Sequence, residues 1–255
     1  MNGGDDSERL PSPIGQLVDL ALRAYREHIG LYLLLAAAGF VIATIVEFAI
    51  PAHVEETVHE QILELVSVLC YAFVVTAVAL GVGTQVAGEH LTPRTLLRGA
   101  LYRWPGVVGA SLLAQILADF VLPAGGFGRL EDPGYLVLAP VAWLLLGALG
   151  LAGPLAALSA ELPLVAAFTG FGRALLLSLR FANIVRLAVL SFATVVPIML
   201  ESMLIDELRR RGVAHVFYLA ESPIDSLIVG PLAAIQSIFA LDFARRVGKI
   251  QTPRR

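Results

Sequence analysis

Charge is what this chain has least of. Only 15% of its 255 residues are Asp, Glu, Lys or Arg, and one stretch of 28 residues, Pro133 to Ala160, carries none. There is one cysteine, Cys70, which excludes a disulfide or a cysteine metal cluster within a single chain. Lysine is as scarce: Lys249 stands alone against 17 arginines, and with abundant Ala, Leu and Gly that bias points to a GC-rich bacterium. No P-loop, His-Glu-x-x-His pair, Gly-x-Ser-x-Gly elbow or dinucleotide fingerprint occurs. The expectation is therefore a non-enzymatic protein with no catalytic residues and no cofactor. The net charge of −3 argues against a nucleic-acid partner.

Apolar residues fill the space that charge leaves. They make up 57% of the chain, and the mean hydropathy is +0.78. A soluble domain of this length cannot hide that much apolar surface, so the bilayer is the expected solvent. A helix needs roughly 20 apolar residues to cross it. Six segments qualify: Ile29–Ile50, Leu65–Gly88, Pro105–Pro123, Gly134–Leu158, Ile184–Ile205 and Ser226–Phe243. The predicted fold is an all-α polytopic transmembrane helical bundle of six spans with amphipathic interfacial helices. Residues 1–11 are expected to be a polar, flexible tail without the features of a cleaved signal peptide. Residues 12–246 form the six-helix membrane domain and residues 247–255 a basic tail.

Arginine placement gives the orientation. With the N-terminus inside, 14 of the 18 basic residues fall in inner segments, so both ends are expected on the cytoplasmic side of a bacterial inner membrane. The inner collar comprises Arg23, Arg26, Arg94, Arg98, Arg103, Arg173, Arg180, Arg245 and Arg246. It faces the anionic leaflet, making anionic phospholipids the first expected partner, with other membrane-protein subunits second. Ser12 and Pro13 open an amphipathic helix whose Ile14, Leu17, Val18, Ala21, Leu22 and Tyr25 recur at helical spacing.

That design recurs. A second short basic helix, TLLRGALYRW, precedes the third span, and Thr169–Phe181 precedes the fifth. Tyr25-Arg26 lies just before Gly30, Tyr102-Arg103 just before Gly106, and Leu179-Arg180 holds the same place ahead of the fifth span. The pattern reads as three units, each an inner helix, an outward span and a returning span. On the third span, Gly106, Ala110, Ala114 and Ala118 form a smooth stripe suited to close helix packing. Gly147, Gly150 and Gly153 offer a second close approach, just before a bend expected at Pro154.

Three stretches carry a family resemblance: SPIGQLVDLALRAYREHIGLYLLL, ELPLVAAFTGFGRALLLSLRFANIVRLAVL and GPLAAIQSIFALDFARRVGK. They resemble the membrane domain of glycerophosphodiester phosphodiesterases and its stand-alone bacterial relatives, helical membrane proteins many of which have no defined function. The resemblance puts Glu161, Ser178, Arg180, Asp242 and Arg245 at family-like positions. It departs at the end, where Leu241 replaces the usual Tyr before Asp242 and the first Arg follows three residues on instead of two. No segment between the spans is long enough for the family's soluble phosphodiesterase barrel, so hydrolase activity is not implied.

Two clusters could carry chemistry. In the first outer loop, His53, Glu56, His59 and Glu60 would gather on one side of a helix, and imidazole with carboxylate can hold zinc or iron. A single Glu-x-x-His on a wet acidic loop reads first as solvated surface, so no metal is expected. Glu47, Asp119, Glu201 and Asp225 come near the outer ends of four spans and could form a carboxylate ring for a cation or a proton. The zone between inner and outer ends is mostly Ala, Leu and Val, with Thr76, Ser111, Ser191, Thr194, Gln115 and Gln236 as the polar exceptions. The favoured expectation is a structural or accessory subunit of a membrane complex, or a lipid-associated scaffold. A small transporter with a central cavity between three helical hairpins is the alternative, and a lipid enzyme ranks third.

Overall fold

The structure is a computed structural model that describes residues 13–51, 56–89, 92–121, 133–180, 183–211 and 214–246. Everything regular among these residues is helix: α1 (Ile14–Glu27), α2 (Ile29–Ala49), α3 (Glu56–Val86), α4 (Pro93–Val121), α5 (Pro133–Leu149), α6 (Ala152–Ala157), α7 (Pro163–Ser178), α8 (Ile184–Arg210) and α9 (Ala214–Arg246). Among the described residues, two segments, Val68–Val86 and Pro140–Ala157, are long and apolar enough to cross a membrane.

The first helix follows its pattern. Leu17, Ala21, Ala24 and Tyr25 are buried on one face of α1 and lie against α9. Pro13 sits one residue outside the helix as its N-cap, instead of at its first position, and Ser12 lies outside the described residues. His28 separates α1 from α2, and Pro51 follows the end of α2.

Three expected boundaries move. The short basic helix before the third span is not separate. It is the first half of α4, which runs on through Pro105. A proline costs one hydrogen bond and bends a helix, but contacts on both sides hold it here. The indole Nε1 of Trp104 donates to the Leu69 carbonyl at 2.9 Å, and Gly106 lies against the backbone of Pro163. The fourth span breaks earlier than its proline. Pro154 has no N–H for the carbonyl of residue 150, and its ring crowds that oxygen. Accordingly the chain leaves α5 at Gly150, and the Leu151 amide turns to Ala148 at 3.0 Å before α6 begins. The third amphipathic helix starts at Pro163, not Thr169, with proline in the first turn where its missing N–H is harmless. Its exposed face is apolar, with Leu164 and Phe168 outward, while Ala166, Ala167, Gly170 and Ala174 are buried.

Small residues set the packing. α3 lies against α4 and α9, α4 against α6 and α7, and α5 against α8; α3, α6 and α9 all touch one another. A Cβ on Gly153 would stand 3.4 Å from Val75 of α3 and from Val107 and Ser111 of α4. The predicted stripe is inward: Gly106, Ala110 and Ala114 are buried and Ala118 half-buried. Nearby, Gly109 and Ala167 bring α4 onto α7. Such close approach favours helix association by van der Waals contact, without needing a hydrophobic drive between helices.

Candidate functional site

Among the described residues, polar side chains meet between helices in three places at the ends of the apolar segments. Glu161 follows α6 directly after the charge-free stretch. Its carboxylate accepts from Thr169 and pairs with Arg173 at 3.3 Å. Its main-chain oxygen accepts from Nη1 of Arg103 at 2.6 Å, and its own amide donates to the Ser159 hydroxyl at 3.3 Å. This cluster joins α4, the turn after α6, and α7. At the second place, Arg186 of α8 pairs with Asp242 of α9 at 3.1 Å, with the two side chains only 15% and 7% exposed. At the third, the Gln85 amide on α3 donates to the carboxylate of Glu27, the last residue of α1.

A fourth polar group lies deep. Gln236 of α9 is 1% exposed, and its Nε2 is 3.0 Å from where a side chain on Gly150 would begin. The amide therefore covers the break between α5 and α6. It faces the Tyr71 hydroxyl, but neither amide atom meets hydrogen-bond geometry with a described residue. Several other hydroxyls of the helices bond to backbone carbonyls. Thr76, Thr194 and Ser237 each donate to the carbonyl four residues back, at 2.6, 2.8 and 2.5 Å. Ser191 donates to Leu187 at 2.7 Å and to Trp143 at 2.5 Å, fastening α8 to α5.

The collar divides. Arg23, Arg26, Arg94, Arg98 and Arg180 are exposed. Arg103 and Arg173 are half-buried and turned to Glu161 instead of to a free surface. The side chains of Arg245 and Arg246 lie outside the described part of the structure, as do those of Glu47, Asp119, Glu201 and Asp225 on α2, α4, α8 and α9. His53 lies outside the described residues; Glu56, His59 and Glu60 fall in the first turns of α3, with side chains likewise outside. Among the described residues no three His, Cys, Asp or Glu gather as a metal site.

Like Glu27, Glu161 and Asp242 each clasp helices together. Their partners were harder to see. Arg103 reads as part of the inner collar because nothing in the local pattern distinguishes an arginine facing lipid headgroups from one turned to a distant part of the chain. The chain matches no protein family, no curated protein and no solved structure among those compared.

Proposed function

We propose that the chain is a six-span integral membrane protein of the bacterial inner membrane with both termini cytoplasmic, acting without catalysis as an accessory subunit or lipid-associated scaffold. The spans are α2, the apolar parts of α3 and α4, α5 with α6, α8, and the second half of α9. One observation carries this reading: the distribution of side-chain size is inverted relative to a water-soluble core. Phe48, Phe120, Phe168 and Phe192 are 81%, 76%, 67% and 65% exposed, whereas alanine is the commonest buried residue among those described. Large apolar groups outside and small ones inside suit a bundle whose solvent is lipid. The arginine distribution supports the orientation, and the three stretches resembling phosphodiesterase membrane domains fit a non-catalytic membrane role.

The polar inventory supports a scaffold. Ionic groups between helices are engaged with one another, and the interior hydroxyls of Thr76, Ser191, Thr194 and Ser237 are taken up by backbone carbonyls. Mild-detergent purification of the tagged full chain from native membranes tests the reading. A stoichiometric membrane-protein partner is expected. A chain that resists salt washing, elutes alone and moves solute after reconstitution would replace this reading with the next one.

A small transporter is the second reading, favoured by the Gln236 amide set over the broken α5–α6 segment. Interrupted helices with polar side chains at the break are where transporters hold substrates and ions. Proteoliposome flux abolished by Gln236→Leu would establish it.

A further inference from the structure

We infer that the first three turns of α4 dock the phosphate headgroups of anionic phospholipids. This rests on the membrane reading above and names a lipid-binding face within it. The helix start is well fixed: the Thr95 amide donates to the Thr92 hydroxyl at 3.2 Å, and Pro93 occupies the first turn. From there Arg94, Leu97, Arg98, Leu101 and Tyr102 follow at spacings of three and four and share one face. All five are exposed, Leu97, Leu101 and Tyr102 by 45%, 54% and 55%. The opposite face is closed by this chain. Leu96 and Ala100 are buried, and Gly99 lies under Leu80 of α3.

A face mixing arginine with leucine fits neither water nor hydrocarbon alone. Exposed leucines favour acyl chains, while guanidinium groups are costly to bury in them. Both are satisfied at the headgroup level, where an arginine lays its aliphatic stem on apolar surface and its charge in the polar layer. Tyr102, amphipathic itself, suits the same depth. Charge complementarity selects the occupant. Neither Arg94 nor Arg98 pairs with an acid among the described residues, in contrast to Arg103 and Arg173, which Glu161 holds. Two uncommitted guanidinium groups one turn apart match a phosphodiester, and arginine forks bind phosphate in a bidentate manner.

Native mass spectrometry of the detergent-purified full chain, titrated with phosphatidylglycerol or phosphatidylcholine, tests the site. Phosphatidylglycerol should be retained at a concentration lower on the order of tenfold. The double variant Arg94→Gln/Arg98→Gln should lose that preference, and Arg94→Lys/Arg98→Lys should keep most of it. Equal retention of the two lipids by the unaltered chain would overturn the inference, as would a preference that survives the glutamine pair. Loss of an acidic protein partner from the glutamine variant, with no lipid preference to begin with, would assign the face to that partner and also overturn it. A chain recovered from the aqueous fraction without detergent would instead remove the membrane reading, before any lipid is added.

Discussion

Arg103 and Glu161 stand 58 residues apart and meet, the guanidinium donating to the Glu161 carbonyl oxygen at 2.6 Å. Gln85 likewise stands 58 residues after Glu27 and donates to its carboxylate. Asp242 follows Arg186 by 56 residues (186 to 242), and the two form the least exposed ion pair described. Each contact ties the approach to one apolar segment to the end of the next. Arg26, Arg103 and Arg180 also lie 77 residues apart in turn (26 to 103, 103 to 180). Three repeated hairpins, the design expected from the sequence pattern, would be clasped at such corresponding points.

The Arg103 clasp should be worth more than its neighbours on the same helix. A hydrogen bond from a charged group contributes about 1.5–3 kcal/mol, and partial exposure puts this one at the lower end. Arg103→Gln should lower the unfolding temperature in detergent, whereas the exposed Arg98→Gln should change stability by less than about 0.5 kcal/mol. Equal melting temperatures for the two variants would show that the contact contributes nothing.

The deeper pair should behave asymmetrically. Arg186 and Asp242 are almost enclosed, so Asp242→Asn strands a buried positive charge and should cost about 3–5 kcal/mol. Replacing both with apolar residues of similar size, Arg186→Met with Asp242→Leu, should recover most of that loss. Thermal unfolding of the single and double variants measures it. A double variant no more stable than Asp242→Asn would show that the pair does more than neutralise itself.

Glycine gives a paired test of the packing. A Cβ on Gly106 would stand 2.6 Å from the Pro163 carbonyl oxygen, a backbone atom that cannot rotate away. Gly106→Ala should therefore force α4 from α7 and cost about 1–3 kcal/mol. Gly172, within α7, has nothing within 4 Å of the same position. There the helix gains from the lost backbone freedom, and Gly172→Ala should stabilise by about 0.5–1 kcal/mol. Denaturation of both variants in one detergent reads the opposite signs.

Much of this architecture was legible along the chain. The bounds of α2 match the apolar segment Ile29–Ile50 to within one residue, the buried face of α1 follows from its spacing, and the α4 stripe from small residues four apart. Other features depend on contacts distant in sequence. The helix continues through Pro105 because Leu69 and Pro163 lie beside it. The outer face of α7 is apolar because its small residues, the ones that could pack closely, turn inward onto α4 and α6. The break at Gly150 was foreshadowed by three glycines before Pro154, but the Gln236 amide covering it belongs to another helix.

Alkaline pH should loosen the seat of α1 through Tyr25. Its ring stacks on Tyr32 with centroids 5.3 Å apart, and its hydroxyl lies against Gly230 of α9. Burial raises the phenol above its ordinary value of about 10. The folded protein thus keeps a proton that the unfolded chain releases, and this contribution is complete below the unfolded value. It is lost as pH rises through the folded one. Stability should therefore fall from about pH 10 upward. Tyr25→Phe should flatten that fall while leaving stability near neutrality little changed, because the ring contact remains. Thermal unfolding across the alkaline range, compared between the two proteins, separates this titration from general base damage. Parallel curves would show that Tyr25 does not carry the effect.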